Sequence, residues 1–328
     1  MAQKKAGTVV YRNNLSPILA IYRLIPESGS KFPDYHPGQY IALRREDCKL
    51  TKKIQGPDGQ PHYVPDLDEF RNQRRGAVTH SYSISSAPFE TIQKGFLEFY
   101  VILEMHEGGI PGRLSESLFQ VDPQQDNKII YFDKITGDFR LEKRASGFEN
   151  VVLVGTGSGL APFASMIKEL HFDATQGKRD GVKYTLFHAN RGYQELGYHR
   201  ELCEIKASQR FDFLYVASIS RPSPQDLNDA KLGRGRANNL LRYVFEMPLK
   251  EEQDLKEASA RGEDTAKAKA MLDRTVKPEL PQHISREMLL ERMPPERTVI
   301  MCCGNPLSMT DVKYIADANR IQFEKEDW

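Results

Sequence analysis

The stretch Val151 to Leu170, VVLVGTGSGLAPFASMIKEL, holds the residue types best suited to chemistry: Gly155, Gly157 and Gly159 in one short turn, with Thr156 and Ser158 between them and Pro162 just beyond. Glycine lets backbone approach a ligand closely. The N–H groups exposed where a helix begins, with the dipole there, favour an anion such as a pyrophosphate, and proline suits the first helical turn. The pattern departs from the GxGxxG fingerprint, because Gly157 is followed by Ser, Gly and Leu, and no acidic residue ends a second strand to take a ribose hydroxyl. A plain strand-to-helix turn is the competing reading.

A second stretch, HSYSISSAP from His80 to Pro88, allows two readings. It suits an ordinary half-exposed strand ending in a turn, or a surface built for something flat and aromatic with a charged tail. Arginines supply the third kind of chemistry. Arg221 in SISRPSP, and Arg234 and Arg236 in KLGRGRANN, have planar donors that match a phosphate. Arg191 stands at what reads as a helix start, where a structural role is equally open, and Arg74 and Arg75 form a pair at a loop end. The cysteines Cys48, Cys203, Cys302 and Cys303 include no CxxC spacing, which argues against a disulfide framework and against a zinc or iron–sulfur site. No metal site is expected.

The elements that must position these residues change style along the chain. Up to about residue 145, TVVYR, GQYIAL, HSYSIS, FLEFYVIL and KIIYF are short and rich in β-branched and aromatic residues, which suits an antiparallel β-barrel. Two long connections interrupt it, at about 46–78 and after Met105; the first is too polar to be core and reads as a surface excursion. From Asn150, VVLVGTG, KYTLFHAN, FDFLYVAS and RTVIMCCG are continuous apolar runs, each followed by a helical pattern, and predict an α/β doubly wound parallel sheet. Two domains are expected, 1–147 and 148–328, the second carrying a polar helical insertion at about 247–295. A solvated helical hairpin or a partner-binding lid would each account for that insertion.

Composition bounds the partners. The 328 residues include 46 Lys plus Arg and 45 Asp plus Glu, a net charge of +1 that gives no global field for nucleic acid or an anionic membrane. No run approaches the roughly 18 apolar residues of a membrane span, and the start MAQKKAGTVVYRNN lacks the apolar core of a signal peptide, so a cytoplasmic location is expected.

Five segments in order, PGQYI at Pro37, HSYS at His80, GRLS at Gly112, GTGSGLAP at Gly155 and CGNPLSM at Cys303, together resemble the ferredoxin–NADP reductase family. The resemblance covers most of the chain outside the two insertions. It implies a flavin-binding barrel followed by a nicotinamide-nucleotide domain, with FAD and NADP(H) as cofactors. The reaction it implies is hydride exchange between nicotinamide and flavin, with ferredoxin or flavodoxin as redox partner and a monomeric state. A flavin, quinone or oxygenase-component reductase, or a flavin-holding electron-transfer subunit, is the alternative.

By the same resemblance, Tyr82 lies against the flavin ring and Ser83 hydrogen-bonds near it, with His80, Ser81, Tyr100, Val101, Ile102, Gly112, Arg113, Leu114 and Ser115 holding the rest of FAD. His80 stands where the family has an arginine on the pyrophosphate, and a largely uncharged histidine makes no bidentate fork, so Arg113 is expected to compensate. The nucleotide falls to Gly155, Thr156, Gly157, Ser158, Pro162, Arg191, Ser220, Arg221, Arg234 or Arg236, Cys303, Gly304, Asn305, Pro306 and Met309. Cys303 shapes the hydride site while Cys302 faces the core, Glu326 takes an acidic role, and Trp328, the single tryptophan, covers a ring.

Overall fold

A computed structural model of the chain describes residues 2–56 and 61–326. It divides into two compact units between Asp138 and Phe139, nine residues ahead of the 147/148 division expected from sequence. Phe139 belongs with the second unit because its ring packs 5.7 Å from that of Phe163.

The first unit is built on strands β1 (Lys4–Ser16), β2 (Leu19–Pro26), β3 (Tyr40–Lys49), β4 (Thr51–Gln55), β5 (Pro61–Pro65), β6 (Arg75–Ser83), β7 (Leu97–Ile102) and β8 (Lys128–Thr136), with helices α1 (Pro88–Lys94) and α2 (Arg113–Phe119). Six strands form one antiparallel sheet in the order β6-β3-β8-β1-β2-β7, and a bridge between Ile84 and Phe99 joins its two ends into a partly closed barrel. The barrel expectation holds. The interior takes alternate residues, among them Val9, Tyr22, Ile41, Leu43, Val78, Phe99 and Tyr131. Strand β2, LAIYRLIP, is not among the strands expected from sequence, yet it pairs with both β1 and β7. The polar excursion at 46–78 is less irregular than expected. Strand β3 extends to Lys49, β6 starts at Arg75, and β4 and β5 pair as a separate antiparallel ribbon with β4 largely exposed.

The second unit has α3 (Leu141–Arg144), β9 (Asn150–Thr156), α4 (Ala161–Thr175), β10 (Lys183–Asn190), α5 (His199–Ser208), β11 (Phe213–Ile219), β12 (Gly233–Arg234) and α6 (Ala237–Val244). Then follow α7 (Lys250–Ala260), α8 (Ala266–Asp273), α9 (Arg286–Glu291), β13 (Thr298–Cys303), α10 (Pro306–Ala318) and β14 (Gln322–Lys325). The strands form a parallel sheet in the order β12-β11-β10-β9-β13-β14. Its central strands are buried on both faces, which is why their sequences read as unbroken apolar runs. The order reverses between β9 and β13, and the carboxyl ends of strands at such a switch point are where open α/β sheets bind ligands. The insertion contains the expected helices, α7 and α8, joined by a short turn.

Candidate functional sites in the two units

In the second unit, the turns after β9 and β13 are locked together. A Cβ on Gly159 would collide with the Cys303 carbonyl, and one on Gly304, whose φ is +133°, would collide with Thr156. Glycine is therefore required at both positions by the close approach of the two loops. The Asn305 N–H donates to Thr156 Oγ1 at 3.0 Å, and the Asn305 side chain caps α10 by accepting from the N–H groups of Leu307 and Ser308. Pro162 and Pro306 occupy the first turns of α4 and α10. Of the three glycines in the GTGSG turn, Gly155 packs against Leu160 and Gly159 against Cys303, while Gly157 has open space where a side chain would be. Ser158 is half-buried beside it, and Met309 lies in the core under the turn.

Cys303 and Glu326, distant in sequence, meet: the Cys303 thiol donates to Glu326 Oε2 at 3.0 Å, with both side chains buried. Burial and the adjacent carboxylate push the Cys303 thiol well above its ordinary range, so it stays protonated. Cys302 points into the opposite core, as expected, and burial pushes it up to about 12. Trp328 lies outside the described residues.

Beyond the carboxyl ends of β10, β11 and β12 lies a cavity of about 490 Å³ lined by Arg191, Ser220, Arg221, Gly235 and Arg236, and on its far wall by Met271, Arg274, Thr275 and Val276. Arg191 and Arg236 are each held by a carboxylate. Arg191 makes a two-armed pair with Glu195, and Arg236 Nη1 donates to the buried Glu251 at 2.7 Å. Arg221 and Arg274 have no ion-pair partner among the described residues. Of the two arginines in GRGR, Arg236 lines the cavity, whereas Arg234 pairs with Glu279 at 2.9 Å and donates to the Leu227 carbonyl. The Ser220 N–H and hydroxyl both donate to the Asn190 carbonyl, at 2.9 and 3.2 Å.

In the first unit, β6 is an edge strand of the sheet, with His80 and Ser81 exposed, Tyr82 half-buried against the barrel core and Ser83 buried. Partial desolvation of its ring and the charge of Arg113 push His80 below its ordinary value, and Glu104 acts in the opposite direction. His80 is therefore neutral at neutral pH, with Arg113 as the cation beside it. Burial, with Glu104 nearby, raises Tyr82, which keeps its proton. The loop from β7 to α2 is folded back on itself, since the Gly112 N–H donates to the Glu104 carbonyl at 2.8 Å and Ser115 Oγ accepts from the Glu104 N–H at 3.2 Å. Tyr100, Val101 and Leu114 are buried and Ile102 is exposed, so Val101 and Leu114 offer a ligand only backbone. Arg75 is tied to Asp47, and Arg74 is exposed.

Sequence reasoning passed over Glu104, Glu195, Glu251, Met271 and Arg274. Only Glu195 had a local signal, its i,i+4 spacing from Arg191. Glu251 and Arg274 sit in the insertion, where a mixed-charge helical pattern conceals which charges turn inward.

Residues 153–243 match the oxidoreductase NAD-binding domain family. Among curated proteins, the chain is 28% identical over 214 residues to a flavohemoprotein of Halalkalibacterium halodurans, covering 64% of this chain and 42% of that protein. It is 29% identical over 202 residues to one of Bordetella pertussis, covering 60% and 38%. The matched region thus spans about two-fifths of the length of these relatives. Among solved structures, a ferredoxin NADP+ reductase from Neisseria gonorrhoeae with bound FAD and NADP aligns over 99% of both chains at a TM-score of 0.57 and 18% identity. The flavohem-like FAD/NAD-binding domain of a nitric oxide dioxygenase from Vibrio cholerae aligns over 98% of both at 0.56 and 19%. An antiparallel barrel unit, a parallel-sheet unit with an oxidoreductase NAD-binding domain, and full-length alignment to both solved structures give this chain the two-domain fold of the ferredoxin–NADP reductase-type FAD/NAD-binding reductases.

Proposed function

We propose that the protein is a flavoenzyme that passes electrons between NADP(H) and a one-electron acceptor. The observation that carries the nucleotide half is the arginine-lined cavity at the carboxyl ends of β10 to β12, because guanidinium groups converging with a serine match a phosphorylated adenosine. Arg221 would meet a 2′-phosphate, Arg236 would line the same cavity while held by Glu251, and Arg234, outside that lining, would not take part. Gly157, with its open surroundings, and the start of the 15-residue helix α4 would take the pyrophosphate.

The first unit fits FAD on its own residues. An exposed edge strand carries His80 and Ser81, a protonated Tyr82 presents an aromatic face with a donor at its tip, and Arg113 supplies positive charge. Tyr82 and Ser83 would hold the ring, and His80, Arg113 and the backbone of Leu114 and Ser115 the pyrophosphate. When bound, FAD supplies two-electron exchange with nicotinamide and one-electron exchange with a carrier. The protein holds Cys303 as an uncharged thiol against Glu326, which keeps a compact, unreactive wall where the nicotinamide is expected. The acceptor belongs to ferredoxin, flavodoxin or a haem protein, the last because the curated relatives are flavohemoproteins.

Purified protein should release non-covalent FAD on mild denaturation, identified by chromatography, and NADPH should reduce it faster than NADH. Ferredoxin, flavodoxin, free flavin and a haem protein offered in turn then define the acceptor. Recovery of FMN, or no flavin after reconstitution, would overturn the reading.

A further inference from the structure

Resting on the NADP(H) reading, we infer that the α7–α8 insertion forms one wall of the nucleotide site and that Arg274, at its end, is a determinant of preference for a 2′-phosphorylated adenosine. The far wall of the 490 Å³ cavity comes from this segment: Met271 from α8, then Arg274, Thr275 and Val276 directly after it. Opposite stand Arg191, Ser220, Arg221 and Arg236 from the loops after β10, β11 and β12.

Charge pairing decides which arginines remain for a ligand. Glu195 occupies Arg191 and Glu251 occupies Arg236, whereas Arg221 and Arg274 have no carboxylate partner among the described residues. Two unneutralised guanidinium groups on facing walls match a phosphomonoester, which carries about −1.5 to −2 charge near pH 7. A diester or pyrophosphate link carries less charge per phosphorus and would not need both.

The insertion is fastened where this role requires it. Glu251 of α7 is buried and accepts from both Arg236 and Asn239, at 2.7 and 2.8 Å, so the first insertion helix orients an arginine of the cavity. The returning strand is clamped to β12 by a reciprocal pair of backbone bonds between Arg234 and Glu279, at 2.8 and 3.0 Å. Gly235 has room for no larger residue without shifting, since a Cβ there would lie 3.1 Å from Pro278. Arg274 lies five residues ahead of Glu279, and the segment between them enters the cavity lining at Thr275 and Val276.

The test is calorimetric titration of the full chain with adenosine 2′,5′-bisphosphate and with AMP, which differ by the phosphate in question. Wild type should prefer the bisphosphate. Arg274→Ala should weaken the bisphosphate roughly tenfold or more while changing AMP by less than about twofold, and Arg274→Lys should recover part of the loss. Should the alanine variant fail to fold, Arg274→Gln gives the same reading with length and polarity kept. Retained preference in the variants removes Arg274 from the site and leaves the NADP(H) reading intact. Equal loss of both ligands also overturns the inference, by making Arg274 a support of the fold or of shared contacts. A wild type without preference removes both.

Discussion

The two units present arginine-bearing surfaces of opposite character. The second unit gathers four arginines into a cavity and neutralises two of them with carboxylates, leaving Arg221 and Arg274. The first unit places one arginine, Arg113, beside a neutral histidine and an exposed carboxylate, Glu104, on an open strand edge. A terminal phosphate is nearly dianionic and the only charged handle by which one nucleotide is told from another, so it calls for surplus cations. A flavin is held over a long ring and tail, and a weak pyrophosphate grip is tolerable if the ring is well seated. Charge at a site thus reports how much discrimination hangs on that one contact.

The sharpest way to break this comparison is Arg221→Ala. The Michaelis constant for NADPH should rise roughly ten- to a hundredfold, that for NADH far less, and the salt dependence of NADPH use should flatten. Equal loss with both would show Arg221 serving the fold or the shared pyrophosphate. Next in size is His80→Arg, which gives the first unit the fixed charge it lacks. FAD should bind tighter by about 1 to 2 kcal/mol, read by flavin fluorescence titration. An unchanged or weaker affinity would show that the strand edge does not face the pyrophosphate.

Smaller effects sharpen the same contrast. His80 titrates below its usual 6.5 because partial desolvation and Arg113 disfavour its charge. An anionic ligand favours the charged form, so FAD affinity should be flat from pH 8 to 7 and rise as pH falls below about 6.5; His80→Asn should abolish the rise. Folding runs the other way, since a lowered histidine pKa adds stability above the unfolded value that is lost on acidification. Glu104→Gln, which removes an exposed like charge, should improve FAD binding about two- to fivefold at low salt and hardly at all at high salt.

Much of this was legible beforehand, because strands buried on both faces, such as VVLVGTG and RTVIMCCG, advertise a parallel sheet without help from context. The barrel was legible as a class, less so in its parts. LAIYRLIP carries an ordinary strand signal but follows β1 after a two-residue turn, so the two read as one stretch. The extended ends of β3 and β6 are polar and held by backbone pairing and the Arg75–Asp47 ion pair, which no hydrophobic periodicity reveals. In the strand-end turns, Gly159 and Pro162 stand where close packing and a helix start need them. The different surroundings of Arg234 and Arg236 were not legible, because they depend on Glu279 and Glu251, which the insertion brings from 45 and 15 positions away in the chain. Pairing across such distances leaves no local trace.

The interlocked turns after β9 and β13 bear on entropy. Ligand-binding loops usually sit at the low-stability end of a fold, opening readily and losing freedom when a ligand arrives. The turns after β9 and β13 are instead packed on each other, with Gly159 against the Cys303 carbonyl and the Asn305 amide donating to the Thr156 hydroxyl. Little ordering is left for a ligand there to impose, so amide exchange in these turns should be slow in the ligand-free protein, and the proposed nucleotide binding would be preorganised rather than induced.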